Sequence, residues 1–211
     1  MTEINYRKDL IVLVADRNMK YAVSGLLSRP KAIGIREIIP DIYVNQWRDS
    51  GCLLHSCDFM RPFANQFNHA LVMLDHEGCG QEQKKSRIEL ESRIESQLAN
   101  AGWDDRAAAI VIDPELENWV WSDSPHVDSV LGWEGKNPDL RSWLTTQGFL
   151  NDSQGKPVPP KKAMEEALRK VQKARSSALF LQLAQKVSID RCTDPAFIKL
   201  RTILASWFPQ E

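Results

Sequence analysis

Three short segments of this chain are almost wholly apolar, and each runs straight into acidic residues. Residues 10–15 (LIVLVA) end at Asp16, residues 69–74 (HALVML) at Asp75-His76-Glu77, and residues 107–112 (AAAIVI) at Asp113. Short, continuous runs rich in β-branched residues are the pattern of strands buried on both faces, as in a parallel sheet. None approaches the roughly 18 to 20 apolar residues of a membrane-spanning helix. The polar opening MTEINYRKD has no apolar signal core, so a cytoplasmic location without a membrane partner is expected.

Helical patterns lie between these runs. Met19, Ala22, Val23, Leu26 and Leu27 have the spacing of one helix face, which Pro30 terminates. Residues 33–39 alternate well enough to predict a second strand, weakened by Gly34. Residues 41–57 mix aromatics and cysteines without a clear period. Asp58 is a candidate cap for a short helix reaching residue 67. A charged helix is expected over 81–101, with Ile88, Ile94, Leu98 and Ala101 facing inward and Gly102 ending it. Pro114 is placed to open a helix through about residue 121. Beyond it come short helices over 122–160, a loop at 151–160, and helices near 161–174, 176–187 and 194–207. Strands alternating with helices imply right-handed crossovers and a mainly parallel sheet flanked by helices. The expected organisation is an α/β domain over 1–121 with a helical C-terminal extension over 122–211 packed on it.

Composition removes several functional classes. With 27 basic and 28 acidic residues the net charge is −1, unlike a protein that coats nucleic acid, although a local basic patch is still allowed. Cys52 and Cys57 form one loose pair and Cys79 and Cys192 stand apart, so reduced thiols fit better than a zinc site. There is no G-x-x-x-x-G-K, G-x-G-x-x-G or G-x-S-x-G motif.

The acids carry the chemical interest. Parallel strands present their carboxyl ends at one edge, where ligands of open α/β sheets bind. Asp16, Asp75, Glu77 and Glu115 could therefore converge despite their separation in sequence. Clustered carboxylates repel, and a hard divalent cation relieves the repulsion. Mg²⁺ or Mn²⁺ held in this way serves phosphoryl transfer by neutralising phosphate charge and orienting water. Each acid also has a plainer explanation. An aspartate at a strand end often caps the next helix, and Glu115 and Glu117 in a first turn favour the helix dipole. His76, between two acids, is expected to pack or hydrogen-bond. Arg17 and Lys20 are candidate phosphate contacts, whereas Lys84, Lys85, Arg87, Lys161 and Lys162 read as solvated faces. Trp119 is expected in the core, while the tryptophans concentrated at 103–143 could also form a partner surface.

An acid after the first strand with a helix behind it, then Asp-x-acid after the third, resembles the Toprim domain of topoisomerases, primases and related nucleases. Pro114-Glu115-Leu116-Glu117-Asn118-Trp119 is similar to the PE-x-E-x-W helix start of small bacterial Toprim-like proteins found beside phage-defence genes. The stretches LAQKVSIDRC (183–192) and AFIKLRTIL (196–204) resemble their C-terminal parts. The resemblance spans about residues 9–205. It implies Mg²⁺-dependent phosphodiester hydrolysis of nucleic acid in phage defence. Asp16 would act as general acid/base or ligand, Asp75 and Glu77 as metal ligands and Glu115 as an outer ligand. The sequence departs from the family in having Asp16-Arg17 for Glu-Gly and Asp-x-Glu for Asp-x-Asp. These changes in reach admit a second expectation, a non-catalytic Toprim-like subunit bound to other defence-system proteins. If Asp16 points into a cap and Glu77 into solvent, the enzymatic expectation fails.

Overall fold

The computed structural model describes residues 8–151 and 155–210. The strands β1 (Lys8–Val14), β2 (Pro40–Val44), β3 (Phe67–Asp75) and β4 (Ala107–Ile112) form one sheet in the order β2-β1-β3-β4. All neighbouring pairs are parallel. Leu10 to Val14 are each 0% exposed, as the apolar run requires of a central strand covered on both faces.

Helices α1 (Arg17–Leu27) and α2 (Pro30–Ile33) connect β1 to β2, α3 (Arg48–Met60) connects β2 to β3, and α4 (Arg87–Leu98) connects β3 to β4. The chain steps one way from β1 to β2 and the other way to β3 and β4. Right-handed crossovers then put α1 on one face and α3 and α4 on the other. The helical part follows: α5 (Glu117–Val120), α6 (Pro125–Leu131), α7 (Leu140–Thr146), α8 (Pro160–Lys170), α9 (Ser177–Lys186) and α10 (Pro195–Trp207). The α/β fold with a helical C-terminal part is thus present. No described helix is long and apolar enough to cross a membrane.

The C-terminal helices are built into the α/β layer. Helix α9 lies so close to α1 that a Cβ on Gly25 would sit 2.7 Å from the Ala184 Cβ and 2.8 Å from the Leu181 carbonyl oxygen. Only glycine permits that approach. Helix α10 reaches the β4 edge, where the Lys199 ammonium donates to Glu91 (3.1 Å), Glu95 (2.7 Å) and the Ala109 carbonyl (3.0 Å). The same two glutamates accept the N–H groups of Val111 and Ala109, each at 3.0 Å. Charged side chains thus occupy the backbone groups along the outer edge of β4, which blunts it against further strand pairing.

Several local expectations are corrected. Residues 33–39 are no strand: Ile33 ends α2, Gly34 adopts φ +87° as its C-cap, and Ile35 makes one isolated bridge to Pro209. The second strand is instead 40–44. Asp58 does not cap a helix but lies inside α3, which begins ten residues earlier at Arg48. Helix α4 begins at a capping box of Ser86 and Glu89, later than residue 81, and its Ile88 is 64% exposed. Leu90, Glu91, Ile94 and Leu98 face inward. Pro114 does not open a helix; it follows a cis bond after Asp113, and α5 starts at Glu117. Trp103, Trp121 and Trp133 are buried, with indole N–H groups donating to the carbonyls of Met60, Pro160 and Ala167. They form no partner surface. The polar N-terminal stretch 1–7 and loop residues 152–154 lie outside the described residues.

Candidate functional site

The carboxyl edge of the sheet gathers acids from four elements. Asp16 ends β1 and N-caps α1, its Oδ1 accepting from the Met19 N–H at 2.8 Å. Asp75 ends β3. Glu115 and Glu117 follow β4. The fourth contribution was not legible in the sequence: Asp49, in the first turn of α3, accepts from the backbone N–H of Asp75 at 2.8 Å. This turn is fixed by Asn45, whose Oδ1 accepts from the Trp47 N–H at 2.9 Å. A Cβ on Gly51 would fall 2.2 Å from that oxygen, so the turn closes only over glycine. An acid two residues before Gly51 in an otherwise unperiodic segment was the only available signal.

Asp75 is the least compensated of the group. Its Oδ1 is sealed from solvent and has no hydrogen-bond partner among the described residues. Burial, then the charges of Asp49, Glu117, Asp16 and Glu115, push its carboxyl well above the ordinary range. Asp49 is raised as well, by burial first and in part by Asp16, against the opposing hydrogen bond from Asp75.

The two glutamates beyond β4 do have partners. Glu115 accepts from the Lys161 N–H at 3.0 Å and lies 3.6 Å from its ammonium. Burial and the charge of Glu117 still raise its carboxyl. Burial opposes the charge on Lys161, but Glu115 and Glu117 hold its pKa above normal. Glu117, 2% exposed, is ion-paired with Arg175. Asn18 directs its amide oxygen to Arg175 (3.2 Å) and its nitrogen to the Ser177 hydroxyl (2.9 Å). Lys161 is exposed, as expected of a helix-face lysine, yet its ammonium lies against Glu115. It and Arg175, from the C-terminal half, border the acids.

The remaining expected site residues lie farther out. The Glu77 side chain is exposed, and its charge is felt at Glu115 rather than among the chief influences on Asp75. Its N–H donates to the Pro114 carbonyl at 2.8 Å. His76 bonds the Lys85 carbonyl through Nε2 at 2.8 Å and places Nδ1 3.4 Å from Asp113, the hydrogen-bonding role expected of it. Arg17 is exposed and Lys20 half-buried at the start of α1. Trp119 is half-buried, edge-to-face against Phe197, and donates to Asp194.

Among the described residues, no three or more His, Cys, Asp or Glu side chains are grouped so as to hold a metal ion. A cation that keeps most of its water needs fewer protein ligands: Mg²⁺ is commonly held by one or two carboxylates with water and substrate phosphate filling the rest. The orphaned oxygen of Asp75 beside the carboxylate of Asp49 fits that demand. The chain matches no protein-family model, no curated protein and no solved structure.

Proposed function

We propose that this chain is a Mg²⁺-dependent phosphodiesterase acting on nucleic acid, with its site at the carboxyl edge of the sheet. The observation that carries the reading is the sealed, unpartnered Oδ1 of Asp75 set among like charges. A buried carboxylate without a compensating cation is costly. Asp75 and Asp49 would hold the ion, and Asp16 would approach it with the oxygen not used in its cap. Glu115 would act from the outer side, held by Lys161. Mn²⁺ would substitute for Mg²⁺. The ion, when bound, would polarise a phosphodiester and lower the pKa of an attacking water. The chain's own residues would orient the substrate, with Arg17 and Lys20 as phosphate contacts at the start of α1. On the resemblance of its motifs to Toprim-like proteins, this activity would serve phage defence beside other defence-system proteins.

A second reading, a non-catalytic Toprim-like interaction subunit, is favoured by a specific pair of facts. Asp16 spends one oxygen on a helix cap and Glu77 faces solvent, the arrangement under which an enzyme built on Asp16, Asp75 and Glu77 fails. The enzymatic reading therefore rests on Asp75 with Asp49 instead. Calorimetric titration with Mg²⁺ and Mn²⁺ separates the two. The enzymatic reading expects binding by the wild type, its loss in Asp75→Ala, and metal-dependent cleavage of DNA or RNA that the same change abolishes. A wild type that binds neither ion sinks it. Binding without cleavage of any nucleic acid leaves a metal-bound interaction subunit.

A further inference from the structure

The two edges of the sheet are treated differently. The β4 edge is closed by Glu91, Glu95 and Lys199, as described above. The β2 edge carries no such cover among the described residues. The N–H of Asn45 donates to the Val14 carbonyl, so in the parallel register Asp41, Tyr43 and Asn45 turn their backbone groups toward β1. Ile42 and Val44 consequently turn their N–H and C=O groups away from the sheet, as does the carbonyl of Pro40. Pro40, which has no N–H, stands at an outward position where none is needed by the sheet.

Exposed apolar side chains gather at this edge. Ile39 is 83% exposed and Trp47 57%, and Tyr43, Val44 and Leu54 are exposed beside them. Val44, Trp47, His55 and Phe59 line an open depression at the carboxyl end of β2. The acid of the strand, Asp41, is neutralised by Lys8 at 2.6 Å. Two copies of the strand can therefore approach without bringing bare charges together.

We infer that β2 pairs antiparallel with β2 of a second copy of this chain, across a twofold axis at Ile42, making one continuous sheet. This register is self-complementary. Ile42 of each copy exchanges both of its hydrogen bonds with Ile42 of the other, and the Val44 N–H of each donates to the Pro40 carbonyl of the other. Every outward donor of the strand is thereby satisfied, and only the Val44 carbonyl, opposite the proline nitrogen, is left to water. Ile39 of each copy then comes opposite Asn45 of the other, beside the depression lined by Trp47 and Phe59. With the β4 edge sealed, edge-to-edge addition ends at the dimer and does not continue into a fibre.

Light scattering coupled to size-exclusion chromatography tests this on the full chain over a concentration series reaching the high micromolar range. Twice the chain mass is expected for the wild type. Val44→Pro removes one outward donor and no bond to β1, and should weaken dimerisation by about tenfold or more. Ile39→Lys, at an exposed position where folding is not at stake, should do the same. Circular dichroism should be unchanged in both. A wild type that is monomeric throughout overturns the inference and leaves the edge for a strand of another protein. So does a dimer that both variants leave intact.

Discussion

The backbone N–H of Asp75 donates to the carboxylate of Asp49 at 2.8 Å, which locks the end of β3 to the first turn of α3. That bond sets two acids side by side at the carboxyl edge, and the state of the site depends on them.

Protonation follows directly. The Asp75 carboxyl is raised in the folded chain by burial and by its acidic neighbours, so the folded state holds a proton that the unfolded state releases near pH 4. Stability therefore declines as pH rises from about 4 through the raised value. Asp49 and Glu115, also raised, act in the same direction. Metal-free melting temperatures measured across this window should fall, and Asp75→Asn should flatten the slope and raise the melting point at neutral pH by about 2–4 °C.

The same carboxyls make metal binding release protons. Mg²⁺ favours the charged forms, so calorimetric enthalpies measured in buffers of different ionisation heat should reveal protons lost on binding. Affinity should rise with pH. Asp49→Ala should lower it at least about tenfold, while Glu77→Ala, at an exposed side chain, should change it little. The reverse ranking would return the site to the Asp75–Glu77 pair expected from sequence.

At the other end of β3, His69 stacks on Trp207 with its ring centroid 4.4 Å away, and burial lowers its pKa to about 4. The folded state binds this proton less readily than the unfolded chain. The contribution to stability is complete above about pH 6.5 and is lost as pH falls toward 4. The ¹H shift of the imidazole should titrate with a midpoint near 4.

Glu91 is 3% exposed and accepts from Val111, Arg87 and Lys199. Glu91→Ala should cost about 3–5 kcal/mol, because it strands a buried strand N–H and disrupts two ion pairs. Urea unfolding measures the change. A loss under about 1 kcal/mol would mean that water replaces the carboxylate without penalty.

Reading the strands from sequence succeeded where burial was uniform. LIVLVA and AAAIVI are apolar on every residue and HALVML on all but His69, the pattern of short strands covered on both faces. The second strand escaped because it lies at the edge. PDIYV is half-buried and begins with proline, while the more regular alternation of residues 33–39 is consumed by a capping turn. The acids at the ends of β1, β3 and β4 were visible as soon as the sheet was assumed parallel. Asp49 was not, because its place depends on a turn made by Asn45 and Gly51 that carries no periodic signal. Glu91 escaped for a related reason. An acid on the buried face of a charged helix looks like a pattern error until the strand N–H it serves is known.

The bond from Trp119 to Asp194, with the clasp of Lys199 on β4, has a consequence for how the chain is made. Synthesis runs from the N-terminus, and all four strands emerge before Lys161, Arg175, Asp194 or Lys199 exists. The nascent sheet thus waits with Glu115 and Glu117 unpaired and the Ala109 carbonyl uncapped. Its acidic edge must await Lys161 and Arg175, and its β4 edge the Lys199 of the last helix.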